Sequence, residues 1–174
     1  MATRVRILGI DPGSRSTGYG VIDTDGFRHS HVCSGFVKIE GEDIAERLGM
    51  IFTAVGGLIQ QWRPDVMAIE QVFMNRNADS ALKLGQARGA AICAGVNAGL
   101  TVGEYTPRAI KKAVTGQGAA DKNQMQQMMQ ILLKLDELPQ SDAADALAIS
   151  VCHAHHLNVR AGGVASGVKR GRWV

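Results

Sequence analysis

A chain of 174 residues and 18.5 kDa, 45% hydrophobic and 20% charged, suits one packed domain and excludes a disordered one. No apolar run approaches the ~20 residues of a membrane span, and Met1 to Arg6 lacks a signal-peptide core, so no membrane partner and a cytoplasmic location are expected. The net charge is a modest +3, and three widely spaced cysteines (Cys33, Cys93, Cys152) argue against a disulfide framework and for a reducing compartment.

Arg4–Asp11 is the first predicted strand, with Val5, Ile7, Leu8 and Ile10 apolar, and Pro12-Gly13 ends it. Gly18–Asp23 and Arg28–Ile39 follow as strands, with Asp25-Gly26 as a hairpin turn. Asp43–Gln61 is a predicted helix, because Ile44, Leu48, Ile51, Val55, Leu58 and Ile59 recur at spacings of three and four. Arg63-Pro64 stops it, and Val66–Glu70 is a short, central strand. Asn77–Asn97 is a long helix rich in Ala and Gly, and Leu100–Tyr105 is another strand. Pro107 suits the first turn of a short helix through Val114. Asp121–Leu133 is helical, and Ser141 caps a last helix to about His156. The order implies an α/β fold: a mixed five-stranded sheet, three antiparallel strands first and then parallel ones, with helices on both faces. Residues 1–157 are expected to form the one folded domain, and 158–174 a basic, Gly-rich flexible tail.

The charge is uneven along this order. Residues 1–156 carry 15 basic and 16 acidic groups, whereas the last fifteen hold Arg160, Lys169, Arg170 and Arg172 and no acid. Residues 76–122 hold seven basic and three acidic groups. A basic segment and a basic tail on a neutral body suit a polyanion partner, although many charge runs are only solvated.

Four carboxylates stand out by position. Asp11 ends the first strand in Gly9-Ile10-Asp11-Pro12-Gly13, and Glu70 ends the VMAIE strand. Asp142 and Asp145 open the last helix, where a spacing of three puts them on one face. Singly each has an ordinary role: a turn aspartate, a solvated strand end, partners of a helix dipole. If the first and fourth strands are neighbours and the last helix crosses their ends, all four meet. Acids so gathered cannot all stay ionised unaided, and a divalent cation with a taste for oxygen, Mg²⁺ or Mn²⁺, resolves the repulsion. Two such ions about 4 Å apart can activate water and stabilise the leaving oxygen of a phosphodiester.

The segments GIDPGSRSTGYGVI (9–22), AIEQVFMNRNADSALKLGQARG (68–89) and SDAADALAIS (141–150) closely resemble the RuvC family of Holliday-junction resolvases, and the resemblance extends from about Ile7 to His156. It implies an RNase H-like fold and a homodimer that nicks two strands of like polarity in four-way junction DNA, using Mg²⁺ and leaving 3′-hydroxyl and 5′-phosphate ends. It implies that Asp11, Glu70, Asp142 and Asp145 are the catalytic metal ligands. It also assigns DNA contacts to Phe73, just past Glu70, and to Lys111 and Lys122, and names the RuvAB branch-migration helicase as a partner; Arg76, in the same exposed loop as Phe73, is a further candidate DNA contact.

Three further expectations complete the reading. The helix at Asn77–Asn97 is the candidate dimer surface, through Ala78, Ala81, Gly85, Gly89, Ala90, Ala94 and Gly95 with Leu82, Ile92 and Val96. Cys152-His153-Ala154-His155-His156 hints at zinc, but a ligand set would need His29 and His31 to fold beside it, and these residues also close a helix. A noncatalytic junction-binding module on the same fold is the alternative function. A phosphotransferase of the actin and sugar-kinase type is disfavoured, since it needs two such domains and a second phosphate motif.

Overall fold

The computed structural model describes residues 4–72 and 77–161, with side chains described as far as 157. β1 (Val5–Asp11), β2 (Ser16–Thr24) and β3 (His29–Lys38) form an antiparallel meander. α1 (Ile44–Trp62), β4 (Val66–Glu70), α2 (Ala78–Asn97) and β5 (Thr101–Tyr105) follow, then α3 (Pro107–Thr115), α4 (Lys122–Leu133) and α5 (Ser141–Ala161). The sheet runs in the order β3-β2-β1-β4-β5, and β4 and β5 are parallel to β1. This is the expected mixed five-stranded sheet.

Side-chain alternation sorts the strands between two cores. Leu8 and Ile10 of β1 and Met67 and Ile69 of β4 pack with α1 and α2. Ile7, Val66 and Ala68 face the other way and pack with α3, α4 and α5. α5 is apolar almost all round: Ala143, Ala144, Ala146, Leu147, Ala148, Ile149 and Val151 are all buried. That is the pattern of a helix enclosed by the rest of the fold rather than lying on its surface. It packs against β1 and β2 beneath it and against α3 and α4 beside it.

Local chemistry sets most element ends. Asp43, Asn77, Thr106 and Asp121 cap α1 to α4 through side-chain oxygens that accept from backbone N–H groups three residues on. Asp25 builds the β2–β3 hairpin by accepting from the N–H groups of Phe27 and Arg28, and Gly26 takes the φ of 99° that the turn needs. The expected boundaries are most in error at β2 and α5. β2 begins at Ser16, two residues early, because Ser16 pairs with Lys38. α5 is capped by Gln140 and not Ser141: the Gln140 side-chain oxygen accepts from the N–H groups of both Asp142 and Ala143, and the helix runs on to Ala161.

Candidate active site

Asp11 and Glu70 emerge together because β1 and β4 are parallel neighbours, paired from Ile7–Val66 to Ile10–Ile69. Alternation carries both carboxylates to the face that holds Ile7, Val66 and Ala68, the face α5 covers. α5 reaches them because glycines clear its path. A Cβ on Gly18 would lie 2.1 Å from the carbonyl oxygen of Asp142, and one on Gly9 would lie 2.1 Å from that of Ala146. A Cβ on Gly20 would meet the Leu147 nitrogen at 2.7 Å. With no side chains in the way, the first turns of α5 lie directly on β1 and β2, and Asp142 and Asp145 arrive beside Asp11. Ser16 fixes the approach, its hydroxyl donating to Asp142 Oδ2 at 2.5 Å.

The electrostatics register the convergence. Asp11 is pushed up from 3.8 to about 7, first by burial and then by Asp145, Glu70 and Asp142, while Lys122 pulls it down. Glu70 is raised by burial and by Asp145, against the pull of Lys111. Asp145 is raised by burial and Asp142, with Lys122 and Lys111 opposing. Among the described residues the side chains of Asp11, Glu70 and Asp145 have no hydrogen bond or ion pair. Acids that are partly buried, mutually repelling and unpaired fit a bound cation. Among the described residues no three His, Cys, Asp or Glu side chains form a ready-made metal cluster.

The two lysines come from the helices beside α5. Thr106 caps α3 and Pro107 opens it, Ile110 and Val114 bury one face, and Lys111 stands at its edge. Asp121 and Gln124 form a capping box at the start of α4, which leaves Lys122 as its first residue, exposed at the site. A cleft of about 380 Å³ runs between Glu70, Asp145, Lys111 and Lys122, floored by Ile110, Met125 and Ile149. Negative charge for a metal thus adjoins positive charge for phosphate.

Four acids and two lysines singled out by the sequence therefore share one site. Phe73 and Arg76 lie outside the described residues. His29 does fold beside α5, its ring 5.4 Å from that of His155, yet the neighbouring histidines are engaged elsewhere. His153 Nδ1 is 2.8 Å from the Tyr105 hydroxyl, and His156 Nδ1 is 2.8 Å from the Cys152 carbonyl. On α2, Ala94 and Gly95 are buried in the chain's own core, a Cβ on Gly95 lying 2.8 Å from the end of Met67, which removes both from the expected dimer surface. Sequence reasoning missed Ser16, which reaches its partner across 126 residues, and Arg88, whose Nε donates to the Glu70 carbonyl at 2.9 Å. For Ser16 nothing local signals the contact; for Arg88 the surrounding excess of basic residues points to DNA instead.

Residues 7–153 match the family model described as "Crossover junction endodeoxyribonuclease RuvC". A protein of that name from Colwellia psychrerythraea is 56% identical over 170 residues, covering 95% of this chain and 97% of its own length. The one from Photobacterium profundum is 56% identical over 169 residues, covering 96% and 98%. The fold matches that of Thermus thermophilus RuvC in complex with its Holliday junction substrate, with a TM-score of 0.84 and 34% identity over 90% of this chain and 96% of that one. The yeast mitochondrial Holliday junction resolvase shares the fold at 12% identity, with a TM-score of 0.65 over 90% of this chain and 82% of the other.

Proposed function

Because this chain belongs to the RuvC family of crossover junction endodeoxyribonucleases, we propose that it resolves four-way DNA junctions by hydrolysing one phosphodiester in each of two strands of like polarity. The observation that carries the reading is the meeting of Asp11, Glu70, Asp142 and Asp145 at one end of the sheet, with Lys111 and Lys122 beside them. The family implies a divalent metal, and the acids are its natural holders here, Mg²⁺ with Mn²⁺ as substitute and two ions per site. When bound, those ions supply Lewis-acid stabilisation of the phosphate and a more acidic water at neutral pH.

The chain's own groups do the rest. Lys111 and Lys122 offer point charges to the phosphates flanking the scissile bond. Ser16 holds one oxygen of Asp142 and leaves the other free. Asp11 gives up the proton that burial and its neighbours let it retain near neutrality, so cation binding releases protons. Phe73 stacks in the open junction centre, and Arg76 contacts the backbone nearby.

Paired nicks need two active sites, hence a C₂ dimer. Its surface is the stripe of α2 formed by exposed Leu82, Gly85 and Val96 with half-buried Gly89, spaced three to seven apart on one side of the helix. Leu82 is 67% exposed and Val96 61%, and a Cβ on Gly85 or Gly89 meets nothing within 4 Å. The RuvAB helicase is the proposed partner in recombinational repair. Cleavage of a synthetic mobile junction against linear duplex, with Mg²⁺ and with chelator, tests the reading. Binding of the junction without any nick in Mg²⁺ would leave the noncatalytic module standing.

A further inference from the structure

We infer that Arg88 is a positioning residue for Glu70, gripping the end of β4 from the side of the sheet opposite the acids. The inference rests on the reading of Glu70 as an active-site acid. Ile69 and Met67 of β4 pack with Ala87 and Ala91 of α2, whereas the Glu70 carboxylate turns to the α5 side. Arg88 stands next to Ala87 on α2. Its Nε donates to the Glu70 carbonyl at 2.9 Å, and its terminal nitrogen pairs with the Glu104 carboxylate. Glu104 lies opposite Ile69 in the β4–β5 ladder and so shares the α2 face.

The grip falls where β1 lets go of β4, although the ladder with β5 still pairs Glu70 with Tyr105. The β1–β4 ladder ends at Ile10–Ile69, one residue short of Glu70. Beyond that point β4 is held on one side by the Gln71 N–H, which donates to the Tyr105 carbonyl at 2.7 Å, and through the Glu70 carbonyl by Arg88. A guanidinium suits the task, since one planar group directs separate donors at a carbonyl and a carboxylate. Its side chain is only 19% exposed, and the bond to the Glu70 carbonyl is partly shielded from water, whereas Glu104 lies nearer the solvent. Arg88 reaches the reaction only through the backbone of Glu70.

The test uses the full-length protein and the variants Arg88→Met, Arg88→Gln, Arg88→Lys and Glu104→Gln. Three readouts are taken: calorimetric Mn²⁺ binding without DNA, hydrogen exchange of the Gln71 amide, and junction binding and cleavage. In Arg88→Met and Arg88→Gln, Mn²⁺ affinity and cleavage rate fall about tenfold, as for loss of a group that orients a metal ligand. The Gln71 amide exchanges faster, and junction affinity stays within about twofold. Arg88→Lys recovers part of the loss. Glu104→Gln, which leaves the bond to Glu70 in place, changes each readout less than about threefold. Wild-type Mn²⁺ affinity in a folded Arg88→Met or Arg88→Gln overturns the inference, as does Glu104→Gln proving equally damaging. Failure of both Arg88 variants to fold also overturns it, because Arg88 would then serve the fold at large. If the wild type binds Mn²⁺ with these dependences yet cuts no junction, the nuclease reading fails and the role of Arg88 stands.

Discussion

The two faces of the sheet use glycine in opposite ways. On the α5 face, Gly9, Gly18 and Gly20 are covered so closely that any added Cβ would collide with helix backbone. On the α2 side, Gly85 and Gly89 have nothing within 4 Å of where a Cβ would be, and Leu82 and Val96 beside them are left to solvent. The first set lets a helix carry two aspartates onto two strand ends. The second leaves a shallow, apolar stripe open to solvent. Glycine by itself marks a place where backbone may come close; whether the approach is internal or external is decided by which surface the fold has already filled.

The acid side of the comparison carries the largest expected effect. Asp11→Asn, Glu70→Gln, Asp142→Asn and Asp145→Asn should each lower junction cleavage at least about a thousandfold, because metal ligation worth several kcal/mol weakens. Junction binding, read by gel shift in chelator, should hold or improve as negative charge leaves the DNA path. Near-wild-type turnover in any one would remove that residue from the site.

Next come the glycines themselves. Gly18→Ala places a Cβ against the Asp142 carbonyl, and should cost about 1–3 kcal/mol in a denaturant melt while cutting cleavage more than binding. Gly85→Glu or Gly89→Glu should convert dimers to monomers by light scattering, and at protein concentrations low enough to dissociate the wild type the variants should melt within about 0.5 kcal/mol of it, as expected for a change that the single chain has room for. Those monomers should nick without pairing the cuts. A destabilised Gly85→Glu, or an unchanged Gly18→Ala, would break the contrast between the faces.

Smaller effects concern charge. Lys111→Ala and Lys122→Ala should each reduce the slope of log affinity against log salt by about one, the value of one phosphate contact. An unchanged slope would put the lysine off the DNA.

The last effect is a pH dependence in metal-free protein. Asp11 rises from 3.8 to about 7 on folding. Between those values the unfolded chain has lost the proton and the folded chain keeps it, so stability falls as pH climbs through that window and levels off above about 7. Glu70 and Asp145, also raised, act in the same direction. His29, His31 and His155, lowered by burial, act oppositely as pH falls below about 6.5. Asp11→Asn isolates the first contribution: its melting temperature should exceed that of wild type by a margin that grows from about pH 5 to about pH 8 and shrinks when Mg²⁺ is added. A margin independent of pH would mean that Asp11 is not held protonated.

Much of this arrangement is local and therefore legible in the chain. The 3.6-residue spacing of Ile51, Val55, Leu58 and Ile59 sets the inward face of α1, and alternation in β1 and β4 puts Asp11 and Glu70 on the same side as Ile7 and Ala68. The turn at Asp25-Gly26 and the caps at Asn77 and Asp121 are equally local, because each is closed by residues within a few positions. The motifs carry the family as well. The cap of α5 escapes a sequence reading because Ser141 is the commoner capping type, while Gln140 has the reach to satisfy two N–H groups at once.

What only the tertiary structure decided is adjacency. Whether β4 lies beside β1, whether α5 rests on Gly9 and Gly18, and whether Ser16 meets Asp142 or Arg88 meets Glu70 depend on groups 18 to 137 residues apart. Hydrophobic periodicity says which side of an element is buried, but the effect behind it is non-directional and does not name the surface that does the burying. That choice belongs to close packing among all the elements at once. The same packing turned glycines of one kind into a floor for the candidate active site and glycines of another into open ground.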